Sequence, residues 1–221
     1  MKSLEINCAG ELLQLFAEKA IFWKRDKTLI IADSHFGKAA AFRHAGIPVP
    51  ENVTANDLHR LDELLHETAS RRLIILGDLL HAKNGRSEVM MHAFQNWRDS
   101  QADLEIDLVI GNHDKRSGAL PDSWKINWFQ DSFEELPFAF CHEPKTISGA
   151  FTFAGHIHPA ISSSRQFGTT MRLPCFHFFK NCAILPAFGS FTGTHTISPT
   201  REDRIFVIHA GEILAMPSIL F

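Results

Sequence analysis

The feature that most constrains the fold is an alternation of strand-like and helix-like segments in the first half of the chain. Four short segments are apolar or alternate apolar with polar residues, as β-strands do, and they span residues 20–23, 28–32, 72–76 and 104–110. Between them, residues 54–69 repeat leucine at helical spacing, and Ser87 is placed to cap a second helix. The order βαβαβ predicts a largely parallel sheet with helices outside it.

The second half of the chain is rich in strands and has no strong helical pattern. Its strand-like segments are separated by Gly, Pro, Ser and Asn turns and span residues 138–141, 151–154, 175–179, 183–185 and 205–209. We therefore expect two packed sheets with helices on the outside. We find no repeat or long linker, so the 221 residues are expected to form one domain, residues 1–221.

Charge and sorting signals limit the class of function. The net charge of −3 argues against broad contact with nucleic-acid phosphates, so any such binding must be local. The chain has no apolar run of about 18 residues, and charged residues interrupt its first 20, which predicts neither a membrane span nor a signal peptide. The four cysteines form no CxxC pair and fit reduced thiols, so we expect a cytoplasmic location.

Five predicted strands are each followed by side chains that can bind metals. Ligands in open α/β sheets bind at the carboxyl ends of strands, so these positions are expected to converge. The residues are Asp33 and His35, then Asp78, then Asn112 with His113 and Asp114, then His142, and finally His156 and His158. Turn-capping carboxylates and buried, hydrogen-bonded histidines would explain any one of these motifs, but not the ordered set.

The spacing within the motifs has a geometric interpretation. Asp33 and His35, like His156 and His158, are two residues apart and would project to one side of a continuing strand. The glycines before Asp78, Asn112 and His156 would let the backbone turn sharply.

The ligand types point to a pair of metal ions. Four imidazoles, two carboxylates and one amide suit Mn, Fe or Zn, and seven ligands exceed the need of one tetrahedral ion. They fit two ions that share the carboxylate of Asp78. Such a pair clamps a phosphate and lowers the pKa of a bound water, whose hydroxide would attack phosphorus in line with the leaving oxygen.

The ordered motifs D-x-H, GD, GNHD, H and GHxH resemble those of the calcineurin-like metallophosphoesterase superfamily. The resemblance implies a four-layer α/β/β/α sandwich and two divalent ions. It implies that Asp33, His35 and His158 hold one ion, that Asn112, His142 and His156 hold the other, and that Asp78 bridges them. It also implies that His113 stabilises the transition state or protonates the leaving group, and that Asp114 orients His113.

Residues 28–38, 42–48, 141–144 and 185–193 look like the ligase-associated DNA damage response endonuclease subfamily. Ser34, Phe36 and the pair at 194–195 depart from its pattern. The resemblance implies a phosphodiesterase or endonuclease that acts on DNA with manganese, or else zinc or iron. It also implies an ATP-dependent DNA ligase, a DEXH-type helicase and a nuclease as partners in DNA repair.

Substrate contacts are less defined by the sequence. Arg43 and His81 are candidate substrate-binding residues, whereas Arg116 and Arg165 fit solvated loops better. Two other functions stay open. The acidic net charge would suit a small phosphoester, such as a nucleotide or cyclic nucleotide. A scaffold in a repair complex is disfavoured, because His113 and every ligand are present.

Overall fold

The computed structural model describes residues 1–162 and 171–217, and it contains two packed β-sheets. The strands are β1 (Ser3–Cys8), β2 (Glu11–Phe16), β3 (Ala20–Trp23), β4 (Thr28–Ile31), β5 (Arg72–Leu76), β6 (Glu105–Val109), β7 (Asn127–Phe129), β8 (Ser132–Glu135), β9 (Phe138–Cys141), β10 (Phe151–Ala154), β11 (Pro159–Ser162), β12 (Arg172–Phe178), β13 (Cys182–Ile184), β14 (His195–Thr196), β15 (Arg204–His209) and β16 (Glu212–Ala215). The helices are α1 (Lys38–His44), α2 (Val53–Thr68), α3 (Glu88–Ser100) and the single turn α4 (Asp114–Ser117).

The first sheet has the strand order β1-β2-β3-β4-β5-β6-β7. Strands β1 to β4 form an antiparallel meander, whereas β4 to β7 are parallel. Two of the parallel connections run through helices, α1 with α2 and then α3, as crossovers between parallel strands usually do. The carboxyl ends of β4, β5 and β6 therefore lie side by side.

The second sheet has the order β14-β11-β12-β13-β10-β9-β8, with β15 paired to β12 and β16 paired to β15. Strands β9, β10 and β13 are parallel to one another. The hydrogen bond from Phe188 N–H to Ala32 O, 2.7 Å long, ties the segment after β13 to the end of β4. The carboxyl ends of the central strands of both sheets thus meet at one edge of the sandwich.

Two apolar cores hold the layers together. In the inner core Trp23 of the first sheet meets Phe138 of the second edge to face, with ring centroids 4.9 Å apart. In the outer core leucines of α2 and the aromatic side chains of α3 cover the first sheet. Strand β5 serves both cores, because Ile74 faces inward while Leu73 and Ile75 face the helices.

The predicted α/β class with two packed sheets is confirmed. Ser87 caps α3 as predicted, since its hydroxyl accepts the N–H of Met90 at 3.3 Å. The α-helices of the described residues all precede residue 118, and α2 and α3 cover the first sheet. No helix in the described part of the chain is long and apolar enough to cross a membrane.

Candidate metal centre

The seven predicted ligands converge at the edge where the parallel strands end. Asp33 and His35 follow β4, Asp78 follows β5, Asn112 follows β6, His142 follows β9, and His156 and His158 follow β10. Asp33, His35, Asp78 and His142 are buried. Carboxylates are rarely buried at this depth without a compensating positive charge, so the edge is a candidate cation site.

One group of ligand atoms comes from Asp33, His35 and His158, which lie within 4.8 Å of one another. The Nε2 atom of His158 is 3.5 Å from Asp33 Oδ1 and 3.4 Å from Nε2 of His35. Burial and the neighbouring positive charges lower the pKa of His35 to about 2, so its ring is neutral and its free nitrogen can bind a cation.

A second group comes from Asn112, His142 and His156. The Nε2 atom of His142 lies 3.1 Å from Asn112 Oδ1 and 3.1 Å from His156 Nδ1. A third distance, 3.6 Å, joins the same nitrogen to Asp78 Oδ2. Ligand atoms from four loops, those after β5, β6, β9 and β10, therefore lie close together.

Asp78 lies between these two groups. Its Oδ2 atom is 3.8 Å from Nε2 of His35 in the first group and 3.6 Å from Nε2 of His142 in the second. Its Oδ1 atom accepts the backbone N–H of His113 at 2.8 Å. One carboxylate oxygen is thus fixed by the backbone, while the other faces both groups.

Backbone carbonyls set the tautomers of two of the histidines. The Nδ1 atoms of His142 and His158 contact Leu76 O at 2.9 Å and Gly193 O at 3.0 Å. A carbonyl only accepts hydrogen bonds, so each neutral ring carries its proton on Nδ1 and keeps a lone pair on Nε2. Histidines that bind metals show this arrangement, because the outer hydrogen bond orients the ring.

The electrostatics of the site fit a bound cation. Asp33 Oδ1 is buried and receives no hydrogen bond from the described residues, and the His142 lone pair faces the Asn112 carbonyl oxygen. Burial raises the pKa of Asp78 against the opposing effect of His142. A divalent ion would offset the unpaired oxygen of Asp33, the repulsion between His142 and Asn112, and the burial of Asp78. These residues therefore fit a divalent metal ion.

The backbone reaches this geometry through left-handed turns. Asp33, His35, Asp78, His156 and His158 have φ values of 52°, 47°, 51°, 70° and 53°. Strand β4 ends at Ile31 and β10 ends at Ala154, so the expectation that the paired ligands project from continuing strands is wrong. Such conformations are costly for residues with a Cβ and are concentrated at functional sites.

The glycines before the ligands are needed for space as well as for conformation. Gly77 has φ +79° as the sharp-turn prediction requires, but Gly111 and Gly155 do not lie in the left-handed region. A Cβ atom at Gly111 would lie 2.2 Å from Asp78 Oδ1, and one at Gly155 would lie 2.5 Å from Asp33 Oδ2. The carboxylates of Asp78 and Asp33 occupy the space that a Cβ atom at Gly111 or Gly155 would need.

His113 lies beside the first ligand group and is oriented by His81. Its Nδ1 atom is 2.7 Å from the carbonyl oxygen of His81, and the two rings stack with centroids 4.9 Å apart. The ring of His35 contacts His113 edge to face, also at 4.9 Å. His81, a predicted substrate contact, therefore lines the site, and its role with substrate stays a prediction.

Asp114 does not orient His113, which corrects the expectation drawn from the resemblance. Its Oδ1 atom accepts the N–H of Leu80 and its Oδ2 atom accepts the N–H of Gly111, both at 3.0 Å. Burial raises the pKa of Asp114 in spite of these bonds. Through these two hydrogen bonds the Asp114 carboxylate connects the segment after β5 to the segment after β6.

Lys38 is a charged neighbour of the site that the motif analysis missed. It is the first residue of α1, and its charge contributes to the low pKa of His35 and, after burial, to the pKa of about 4 at His81. Burial lowers the pKa of Lys38, and the negative charge of Asp78 partly opposes this effect. The sequence feature that could have identified Lys38 is its position five residues after the predicted ligand Asp33.

The predicted arginine contacts differ in what the structure shows. Arg43 donates from Nη1 to Val49 O at 3.2 Å and to Pro50 O at 2.9 Å, so it stabilises the loop after α1. Its predicted role as a substrate contact stays a prediction. Arg165 lies outside the described residues.

No family profile and no curated protein matches the chain. Among solved structures, the nuclease MPE of Pseudomonas putida is 36% identical and has a TM-score of 0.85, with 97% of this chain and 100% of that chain covered. The phosphoesterase Yfce from E. coli is 13% identical, with 87% and 98% covered and a TM-score of 0.45. The Aquifex aeolicus protein AQ665, of unknown function, is 18% identical, with 59% and 78% covered and a TM-score of 0.41.

The similarity to the first of these structures covers 97% of this chain. It confirms the resemblance drawn from the ordered motifs between Asp33 and His158. The chain therefore belongs to the calcineurin-like metallophosphoesterases, in the family of the Pseudomonas putida nuclease.

Proposed function

We propose that this metal-dependent phosphoesterase is a two-metal phosphodiesterase that cleaves DNA. The observation that carries the proposal is the position of Asp78 Oδ2 between His35 and His142, the geometry expected of a bridging carboxylate. The similar Pseudomonas putida protein is a nuclease. Its likeness over 97% of this chain supports a polynucleotide as substrate.

Each ligand group would hold one divalent ion. Asp33, His35 and His158 would hold the first, Asn112, His142 and His156 the second, and Asp78 would contact both. Divalent ions held by these residues would supply Lewis-acid activation of the phosphoester and of a water nucleophile. The mixed nitrogen and oxygen ligands suit manganese, with zinc and iron as alternatives.

His113 and Lys38 act on the substrate in this proposal. Because Nδ1 of His113 donates to the His81 carbonyl, Nε2 is the atom that can hydrogen-bond a phosphoryl oxygen or give a proton to the leaving oxygen. Lys38 places a positive charge near the same centre and favours a phosphodiester anion over neutral ligands.

The biological setting is proposed from the subfamily resemblance. We place the protein in ligase-associated DNA repair, with an ATP-dependent DNA ligase, a DEXH-type helicase and a nuclease as partners. A cytoplasmic location fits its four free, buried cysteines, since a reducing compartment keeps thiols unpaired. Co-purification of tagged protein with the ligase and the helicase from its own cells would support the assembly, and their absence would count against it.

A small phosphoester is the second candidate substrate. The net charge of −3 favours it, because polynucleotide enzymes more often carry broad positive surfaces. The two candidates make different predictions about salt. DNA cleavage that slows steeply as salt rises would favour the polynucleotide, whereas salt-independent hydrolysis of a cyclic nucleotide would favour the small substrate.

The test of the function compares substrates on metal-loaded protein. We expect hydrolysis of bis-p-nitrophenyl phosphate and cleavage of DNA, and we expect His113→Ala to lower DNA cleavage about 100-fold or more, as for loss of an acid–base group. The p-nitrophenyl diester should be affected less, because p-nitrophenolate leaves without a proton from His113. His59→Ala, on the exposed face of α2, is the matched control and should behave as the unmodified protein does. Failure to cleave either substrate with any of Mn, Zn or Fe would contradict the proposal.

A further inference from the structure

A cavity of about 530 Å³ lies between α4 and β7, and Asp114, the residue after His113, lines it. We call it the Trp128 pocket, and its apolar wall includes Ile110, Leu120, Ile126 and Trp128, with Lys115 and Lys125 beside them. The metal ligands do not line it. It is thus a separate concave surface near the site, of a size that suits a small organic group.

Trp128 is the unusual residue of this pocket. Its side chain is 62% exposed, whereas Trp23, Trp97 and Trp124 are buried. It projects from β7, the edge strand of the first sheet, on the same face as Ile126. A large aromatic ring that stays in solvent within an apolar pocket indicates a surface that binds a partner group.

The pocket shares a wall with the metal centre. Trp128 pairs with Leu108 on β6, and the N–H of Ile110 bonds Phe129 O at 2.9 Å. Two residues beyond Ile110 the same segment supplies Asn112 to the second ligand group. The Asp114 carboxylate lines the pocket and also accepts the N–H of Gly111. The pocket is therefore adjacent in the fold to the loop that supplies Asn112.

The charges near the pocket suit a phosphate backbone. Lys115 and Lys125 are exposed beside it, while Asp114 is buried and held by backbone N–H groups. The acidic neighbours are Asp122 at the rim and the exposed Asp131, which interacts with Lys115 and pairs with Lys145 at 2.6 Å. The lysines give a local positive patch on a chain whose net charge is −3, which is the form of nucleic-acid binding that the composition permits.

We propose that the Trp128 pocket binds an unpaired nucleobase of the polynucleotide whose phosphodiester lies at the metal centre. This inference rests on the proposed function. A base within a duplex is already stacked on both faces, so only an unpaired base can lie against the exposed indole. The two lysines hold the flanking phosphates. Single-stranded DNA is therefore the substrate form that the pocket selects.

A binding experiment on the metal-free full chain tests the pocket without cleavage. The probes are a fluorescent oligothymidylate and an oligomer of the same length made of abasic tetrahydrofuran residues, followed by anisotropy. We expect Trp128→Ala to weaken oligothymidylate binding about ten-fold and to leave the abasic oligomer unaffected, because stacking alone is lost. Trp128→Phe should retain most of the affinity. Leu214→Ala, which truncates an exposed apolar residue on β16, should retain all of it.

The lysines give an independent variant that leaves the apolar wall intact. Lys115→Gln combined with Lys125→Gln should reduce the slope of log K against log salt by about 1.4, roughly 0.7 for each phosphate contact on a single strand. On metal-loaded protein, Trp128→Ala should lower kcat/KM for oligothymidylate at least five-fold more than for bis-p-nitrophenyl phosphate.

Failure of the pocket and failure of the function are distinguishable. If wild-type protein cleaves DNA while Trp128→Ala binds and cleaves oligothymidylate as wild type does, the pocket proposal is overturned and the nuclease stands. Equal losses on the abasic oligomer would also overturn it, because the indole would then act other than by stacking. If metal-loaded wild type cleaves neither substrate, the proposed function is wrong, and the metal-free binding data still decide the pocket.

Discussion

The backbone N–H of His113 donates to Oδ1 of Asp78 at 2.8 Å, which turns Oδ2 toward both groups of histidines. The residue proposed to act on the leaving oxygen thus also orients the proposed bridging carboxylate. The ring of His113 is held in turn by the carbonyl of His81. Because these contacts join the loops after β5 and β6, a shift in either loop would displace both the predicted ligand Asp78 and the proposed acid His113.

The first prediction concerns the space around Asp78. In Gly111→Ala the new Cβ would lie 2.2 Å from Asp78 Oδ1 and 2.4 Å from its backbone nitrogen, so the carboxylate must move. We expect diester hydrolysis to fall at least 100-fold and stability to fall by about 1–3 kcal/mol, as for overpacking. Hydrolysis and urea unfolding measure the two effects.

The control for this prediction is Gly149→Ala. Gly149 has φ +84° but no neighbour within 4 Å of an added Cβ, so alanine there costs backbone strain of about 1 kcal/mol and no clash. It should remain as active as wild type. Wild-type hydrolysis by Gly111→Ala would show that the position of Asp78 Oδ1 does not matter.

A second prediction concerns the charge of Lys38. Lys38→Ala should lower kcat/KM for bis-p-nitrophenyl phosphate about ten-fold, because a partly buried positive charge near the site is removed. Lys38→Arg should keep much of the activity. Lys2→Ala, which removes an exposed lysine paired with Glu212, serves as the control for net charge. Equal rates for Lys38→Ala and Lys2→Ala would exclude a local role for Lys38.

A third prediction concerns an ion pair between the two sheets. Arg72 on β5 binds Asp107 on β6 through Nε at 2.7 Å and Glu135 on β8 through Nη1 at 2.5 Å. Asp107 is only 1% exposed, so Arg72→Ala leaves a buried carboxylate with the Asn127 amide as its remaining side-chain donor. We expect a loss of about 3 kcal/mol by urea unfolding.

Arg25→Ala is the matched control for the third prediction. Arg25 pairs with Glu11 at 2.6 Å, but its side chain is 60% exposed, so its removal should cost less than about 1 kcal/mol. If Arg72→Ala and Arg25→Ala lower the free energy of unfolding by the same amount, burial does not increase the contribution of the Arg72 ion pair to stability.

A fourth prediction follows from the cysteines. Burial raises the pKa of Cys8, Cys175 and Cys182 to about 12 and that of Cys141 to about 11, from an ordinary value of 9.0. The thiolate is the reactive form, so a raised pKa slows the reaction, by about 100-fold even at Cys141. Ellman's reagent at pH 8 should detect four thiols in denatured protein and none rapidly in native protein. A cysteine that reacts rapidly with the reagent in native protein would contradict the burial of all four thiols.

The strand ends could be predicted from the sequence because apolar alternation and ligand motifs are both local patterns. The hydroxyl cap at Ser87 was predictable for the same reason. The short helix α1 was missed, since seven residues are too few for a clear helical period. The hairpin of β1 and β2 was missed as well, and its turn is closed by left-handed Ala9 and Gly10.

The details of the site depended on contacts between distant loops. The convergence of Asp33 and His35 needs left-handed backbone at both residues, which is uncommon for residues other than glycine even though Asp and His adopt it more often than most. The partners of Asp114 are backbone N–H groups, one of them 34 residues away in sequence, so the family pattern could not reveal its geometry. Lys38 and Trp128 carry no motif of their own, and only packing brings Lys38 near Asp78 and Trp128 into its pocket.

The most direct test of the central claim counts metal ions at the Asp78 centre. Metal-stripped protein is titrated with Mn²⁺ by calorimetry, and hydrolysis of bis-p-nitrophenyl phosphate is measured at each step, for wild type and Asp78→Ala. Two bound ions per chain, with activity restored as they bind, and the loss of that activity in Asp78→Ala are the predicted result. A single ion that restores full activity, or an Asp78→Ala protein that binds two ions and remains active, would contradict the bridging role of Asp78.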